Sequence, residues 1–142
     1  MSLTELDVAV ARDQIRNLVA TYNNCADRGR MDEFVTVFTA DGVLEFTNRR
    51  LEGREAIGAE ISSIACGTRP DVDLSGSRHQ LTTSRIEVLD DAHAQGWIYF
   101  FVSRRGTIIE EGTYIDRYIK TAEGWRIAHR RVKMLFSVHI KE

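Results

Sequence analysis

The 142-residue sequence predicts an α+β domain: three N-terminal helices packed on a mainly antiparallel sheet, which forms a cone where that sheet is strongly curved. Three observations carry this. Apolar residues in the first 65 positions recur at helical spacing. After Arg78 the texture changes to runs rich in Ile, Val, Tyr, Phe and Thr, the residues that suit a pleated sheet. The breaks between those runs, "DDAH", "RRG" and "AEGW", are short enough for antiparallel hairpins. Helices before strands give the α+β order, and helices laid against a curved sheet would close a cone with an apolar interior.

Each element has its own justification. Between Leu6 and Ala26, the residues Ile15, Leu18, Val19 and Tyr22 form an i, i+3, i+4, i+7 stripe, which Ala26 extends. Thr4 or Asp7 can cap the start, and Gly29 supplies the stop. "MDEFVTVF", residues 31–38, fits a second short helix, with Asp32 and Glu33 near its positive end. Asp41-Gly42 predicts a turn, followed by a short edge strand around Leu44 to Phe46. Residues 53–65 read as a third helix that buries Ala56, Ile57, Ile61 and Ile64. "CGTRPDVDLSGS" is a loop holding the only proline. Residues 78–89, 94–104, 108–121 and 125–138 then form a four-stranded meander.

Composition narrows the function. The length suits one domain, residues 1–142, and 43% hydrophobic with 28% charged residues is ordinary for a globular protein. A net charge of −2 offers no field to draw in nucleic acid, and the basic run "RIAHRRVK" would alternate between two strand faces. Cys25 and Cys66 match no metal or redox spacing and read as two reduced thiols. The start "MSLTELDVAVARDQ" lacks a basic segment followed by an apolar run, and no apolar stretch reaches membrane-spanning length. A cytoplasmic location is the expectation.

Candidate chemistry is sparse. Asp27 falls in the last turn of the long helix, where the helix dipole disfavours a carboxylate unless a donor meets it. A solvated helix-end aspartate is the plain alternative. His79 opens the first long strand and is either a surface imidazole or a base. His93, His129 and His139 show no metal-ligand spacing, so no metal is expected. Neither a Gly-rich phosphate loop nor a G-x-S-x-G elbow is present.

The stretches "YNNCADRGRMDEFVTVFTADGVLEF", "LEGREAI", "RHQL" and "EGTYIDRYIKTAEGWRIAHRRV", in that order, resemble the SnoaL-like branch of the NTF2-like superfamily. The resemblance covers most of the chain and is more specific to the fold than to an activity. It extends to scytalone dehydratase, bile-acid 7α-dehydratase and lindane dehydrochlorinase, which share an Asp–His pair. That pair falls here on Asp27 and His79, with Tyr22 five residues before the aspartate. It also implies that Arg130, five residues after the Trp125 of "GW", points into the pocket, and that Tyr114 lines it.

By strand parity an inward Arg130 would bring Ala128, Val132, Met134 and Phe136 to the same face, and Val132 and Met134 with Tyr114 would contact substrate. An inward guanidinium in turn requires an anion, a carboxylate or water beside it. The bile-acid enzyme carries a further acid on the following strand. "WIYFFVS" offers none, unless Tyr99 or Ser103 faces inward in its place.

The resemblance implies a lyase or isomerase that needs no cofactor, acting like a dehydratase on a small hydrophobic cyclic molecule. His79 would be the base, Asp27 its orienting partner, and Tyr22 and Arg130 donors to developing negative charge. Two alternatives stand beside it: an association module like the small subunit of a ring-hydroxylating dioxygenase, and a binding protein with an inert pocket. The first requires a filled interior, the enzyme an open one. Trp97 to Val102 is apolar on both faces, and with Ile108, Ile109, Ile115 and Ile119 it predicts a homodimer or homotrimer assembled through the sheet.

Overall fold

The computed structural model describes residues 2–138. His139 lies outside them. Helix α1 spans Glu5–Asp27, α2 Met31–Phe34 and α3 Arg54–Ala65; the strands are β1 Phe38–Phe46, β2 Arg49–Glu52, β3 Arg78–Val88, β4 His93–Arg104, β5 Thr107–Thr121 and β6 Gly124–Ser137. They form one six-stranded sheet in the order β2-β1-β6-β5-β4-β3. Every junction is antiparallel except β1 with β6.

Both proposed caps of α1 are used together. The Asp7 N–H donates to the Thr4 hydroxyl at 3.1 Å, and the Thr4 N–H donates to the Asp7 carboxylate at 2.9 Å. At the other end Gly29, at φ +68°, lets the Arg30 N–H return to the Cys25 carbonyl (2.8 Å) and the Gly29 N–H to that of Ala26 (3.2 Å). This glycine closure ends the helix at Asp27 and fixes where that carboxylate sits.

Four expectations change. The helix predicted over 31–38 ends at Phe34, tightens into a 3₁₀ turn over Val35–Val37, and gives way to β1 at Phe38. β1 is therefore longer than the strand expected around Leu44, running through Asp41-Gly42 where a turn is predicted, and it is interior, because β2 takes the edge. Helix α3 starts at Arg54, after Gly53 at φ +86°, and buries Ile57 and Ile61 while Ala56 is exposed. Finally, the strand parity of β6 breaks twice. Tyr118 pairs with Ile127 but Arg117 with His129, so Ala128 is an extra residue and Ile127 takes the buried place. Likewise Gly112 pairs with Met134 but Glu111 with Phe136, which carries Phe136 to the solvent side beside exposed Glu111.

Directly opposed residues share a face, so the registers sort the inner side of the sheet into rows. His79, Val102 and Glu110 make the first; Leu81, Phe100, Gly112 and Met134 the second; Ile98, Tyr114 and Val132 the third. Gly96, Asp116, Arg130 and Leu44 make the fourth, and Ala94, Tyr118 and Ile127 the fifth. Gly112 has a steric reason. A Cβ there would lie 2.8 Å from the Phe100 ring and 2.6 Å from the Lys133 carbonyl, so only glycine lets that ring cross the row. Helix α1 packs along these rows through Ile15, Leu18, Val19 and Tyr22, all buried.

Candidate active site

The C-terminal turn of α1 ends beside the first row of the sheet. There Asp27 Oδ1 lies 2.7 Å from His79 Nδ1, while Oδ2 accepts the His79 backbone N–H at 2.9 Å. Two donors thus meet a carboxylate that the helix dipole alone would disfavour. An ionised carboxylate only accepts, so a neutral imidazole in this bond carries its proton on Nδ1 and turns its Nε2 lone pair away from Asp27. Nε2 has no hydrogen-bond partner among the described residues. Both side chains are about six-sevenths buried, at 14% and 15% exposure.

Both also border a cavity of about 520 Å³, between α1, α3, the 66–77 loop and the first three rows of the sheet. That volume lies within the range of small-molecule sites. Phe46, Ile61, Ile64, Phe100, Val132 and Met134 give it apolar walls, and Tyr22, Asn23, Tyr114 and Glu110 add polar groups. Tyr114 stacks on Phe100 with centroids 4.3 Å apart and accepts a hydrogen bond from Asn23 Nδ2 at 3.0 Å. Burial pushes the Tyr22 hydroxyl above its usual range and that of Tyr114 well above it. Both therefore keep their protons at neutral pH.

Of the seven residues singled out from the sequence, six border the cavity: Tyr22, Asp27, His79, Tyr114, Val132 and Met134. Arg130 does not. It belongs to the fourth row, behind the tyrosines, with a side chain that is 0% exposed. Its Nε and Nη2 donate to Asp116 Oδ1 and Oδ2 at 2.8 and 2.7 Å, and Tyr118 adds a third bond to Asp116 at 2.6 Å. Its guanidinium lies 4.2 Å from the Tyr22 ring centroid and 3.9 Å from that of Tyr114. The carboxylate that an inward arginine requires is Asp116, directly opposite on β5. Arg130 thus supports the two tyrosines from beneath, and the Asp116 pair holds it strongly protonated despite burial. Tyr99 is 52% exposed and Ser103 is not part of the cavity wall, so neither replaces the missing acid of β4.

Glu110, Asn23 and Phe100 were not singled out from the sequence. Glu110 was within reach, because it lies four residues before Tyr114 and so on the same strand face. Asn23 owes its burial to the position of Tyr114, which only the tertiary structure supplies. Among the described residues no cluster of three or more His, Cys, Asp or Glu could hold a metal ion, and no helix is long and apolar enough to cross a membrane.

The family described as SnoaL-like domain matches residues 7–131. The chain belongs to that family. Among solved structures, this SnoaL-like domain is similar to a Mycobacterium tuberculosis protein of unknown function, at 28% identity and TM-score 0.79, covering 94% of this chain and 78% of that one. It is similar to a candidate scytalone dehydratase from Novosphingobium aromaticivorans, at 18% identity and TM-score 0.82, covering 97% and 94%. It is also similar to the hexachlorocyclohexane dehydrochlorinase of Novosphingobium barchaimii, at 14% identity and TM-score 0.79, covering 96% and 94%. At 18% and 14% identity these likenesses show the fold. No curated protein sequence matches.

Proposed function

We propose that this SnoaL-like domain is a lyase or isomerase of the dehydratase type that works without a cofactor on a small hydrophobic cyclic substrate. The observation that carries the reading is the Asp27–His79 hydrogen bond at the wall of the cavity, which leaves Nε2 as a base. Neutral imidazole takes a proton next to a carbonyl, and Asp27 stabilises the imidazolium as it forms. Tyr22 and Tyr114, kept protonated by burial, are the nearest candidates to donate to the developing oxyanion. Arg130 acts through them and not on substrate. The cavity weighs against a pure association module, for which a filled interior is expected. Relatives of the same fold named as a dehydratase and a dehydrochlorinase, both elimination enzymes, point the same way.

The test is proton exchange. In D₂O with cyclic β-hydroxy ketones as probes, NMR should show exchange of the hydrogen next to the carbonyl. His79→Ala and Asp27→Asn should each slow it by about 10²-fold or more. The double variant should lose little beyond either, because the two groups act as a unit. Absence of exchange with the wild-type protein, or full activity in His79→Ala, would remove the reading.

A further inference from the structure

The cavity wall holds one polar pair whose hydrogen bonding the chain leaves incomplete. Asn23 lies on α1 four residues before Asp27, so it shares the helix face of the dyad, about 6 Å further along the axis. It is 4% exposed. Its Nδ2 donates to the Tyr114 hydroxyl at 3.0 Å, yet its Oδ1 has no hydrogen-bond partner among the described residues. The Tyr114 hydroxyl accepts that bond, and its own proton meets no acceptor among them. Both residues border the cavity. A buried amide oxygen without a partner is costly, and a leucine at this helix position would avoid the cost. One acceptor, Oδ1, thus stands beside one donor, the Tyr114 O–H. A half-turn of the amide exchanges the roles: Tyr114 donates to the amide oxygen, Nδ2 becomes the open donor and the tyrosine oxygen the open acceptor. Either arrangement offers one donor and one acceptor side by side. A hydroxyl completes both, an ether or a carbonyl only one, and an apolar group neither.

We propose that Asn23 and Tyr114 form a subsite for a hydroxyl group of the ligand, so that the cavity selects cyclic ketones carrying a hydroxyl across the ring from the carbonyl. This rests on the reading of the cavity as the site of a small cyclic substrate. The hydroxyl is a handle for recognition and stays on the ring throughout. One helical turn separates Asn23 from Asp27, a span that a six-membered ring with one oxygen substituent bridges. Phe100, stacked on Tyr114 with centroids 4.3 Å apart, supplies apolar wall beside the subsite. Tyr114 then holds the hydroxyl, and Tyr22 remains to meet the developing oxyanion. Asn23 touches no reacting atom; it selects and orients the ring. Selectivity follows from what a ligand without the hydroxyl leaves behind, an amide and a phenol unpaired out of water.

The experiment measures dissociation constants by NMR titration for three probes: 4-hydroxycyclohexanone, 4-methoxycyclohexanone and 4-methylcyclohexanone. Wild-type protein should bind the hydroxyl probe about tenfold or more tighter than the other two. Asn23→Leu should bring that preference below about threefold, because one of the two bonds is gone. A residue that merely holds the fold would weaken all three probes alike and leave their ratio unchanged. If Asn23→Leu does not fold, Tyr114→Phe carries the test, since it keeps the stacked ring and removes the hydroxyl. Equal binding of the three probes by wild-type protein, as when water alone fills the subsite, would overturn the proposal. So would a full preference surviving in a folded variant. Exchange next to the carbonyl in D₂O, followed on the same probes, reads the dyad separately. Preference without exchange would keep the subsite and remove the base, and exchange without preference would do the reverse. Failure of all three probes to bind would overturn both.

Discussion

Asp116 and Arg130 meet with both side chains fully buried, and the cost of that burial decides what substitution does there. Removing one member strands a charge out of water, which costs about 3–5 kcal/mol. Arg130→Met and Asp116→Asn should each lower unfolding free energy by that order in denaturant titrations. The double variant should lose less than the sum, since it strands nothing. The tyrosines on this cluster set a limit at high pH. Those of the unfolded chain ionise near pH 10, whereas burial raises Tyr22, Tyr114 and Tyr118 in the folded state. Above pH 10 the folded state therefore holds more protons than the unfolded one, and stability falls as pH rises. Thermal unfolding should be insensitive to these groups below pH 9 and drop steeply beyond pH 10. Tyr118→Phe should soften the drop. At this scale the sequence shows which residue types are present but not who faces whom. Asp116 is two residues from Tyr114, so its inward side was legible, but its pairing with Arg130 depends on a register shifted by the bulge at Ala128. The partnership of Asp27 with His79 came from resemblance, since 52 residues separate them and no local spacing connects them.

Among the elements, the 66–77 loop forms one wall of the cavity, and charged bonds tie it down. Arg69 bonds both Asp71 and Glu60, and Glu60 in turn accepts a hydrogen bond from Arg49 Nη1 of β2 at 2.9 Å and forms an ion pair with its Nη2 at 2.9 Å. Arg104 of β4 donates to the Ser75 carbonyl at 3.2 Å. Such partly exposed pairs contribute about 1 kcal/mol or less and are screened by salt. Glu60→Ala should therefore speed amide hydrogen exchange across residues 66–77 while leaving β4 to β6 unchanged. High salt should mimic it in part. The long elements were legible because their signals are redundant: α1 carries a stripe, two caps and a glycine stop, and the four long strands begin and end within two residues of their predicted limits. β2 and the 3₁₀ turn were not. "RRLE" has one apolar residue in four and reads as loop until β1 offers it an edge, and "VTV" after Phe34 suits a helix and a strand equally well.

For the whole molecule, the outer side of the sheet remains to be accounted for. Tyr99, Ile108, Leu135 and Phe136 are all more than two-fifths exposed, and Trp97, Phe101, Ile115 and Ile119 are half-buried nearby. Apolar surface of this kind on a sheet predicts self-association. Sedimentation at micromolar concentration should show a dimer or trimer, and Tyr99→Glu with Ile108→Glu should shift it to monomer without loss of fold. A wild-type monomer would remove the prediction. The fold class itself was legible from the order of periodicities, because a switch from period 3.6 to period 2 survives any error in element boundaries.

The row arrangement of the sheet also bears on how such a protein changes over generations. Of the groups proposed to do chemistry, His79 and Tyr114 stand in the first and third rows and Asp27 and Tyr22 on α1, while the interlocked Asp116, Arg130 and Tyr118 fill the fourth and fifth rows. Met134 in the second row and Ile64 of α3 both border the cavity, are only partly buried, and pack against the core without anchoring it. Selection can therefore re-line the entrance for a new ring shape while the closed end keeps the chain folded. Tolerance of mutation and freedom to acquire a new specificity are housed in different layers of one small domain.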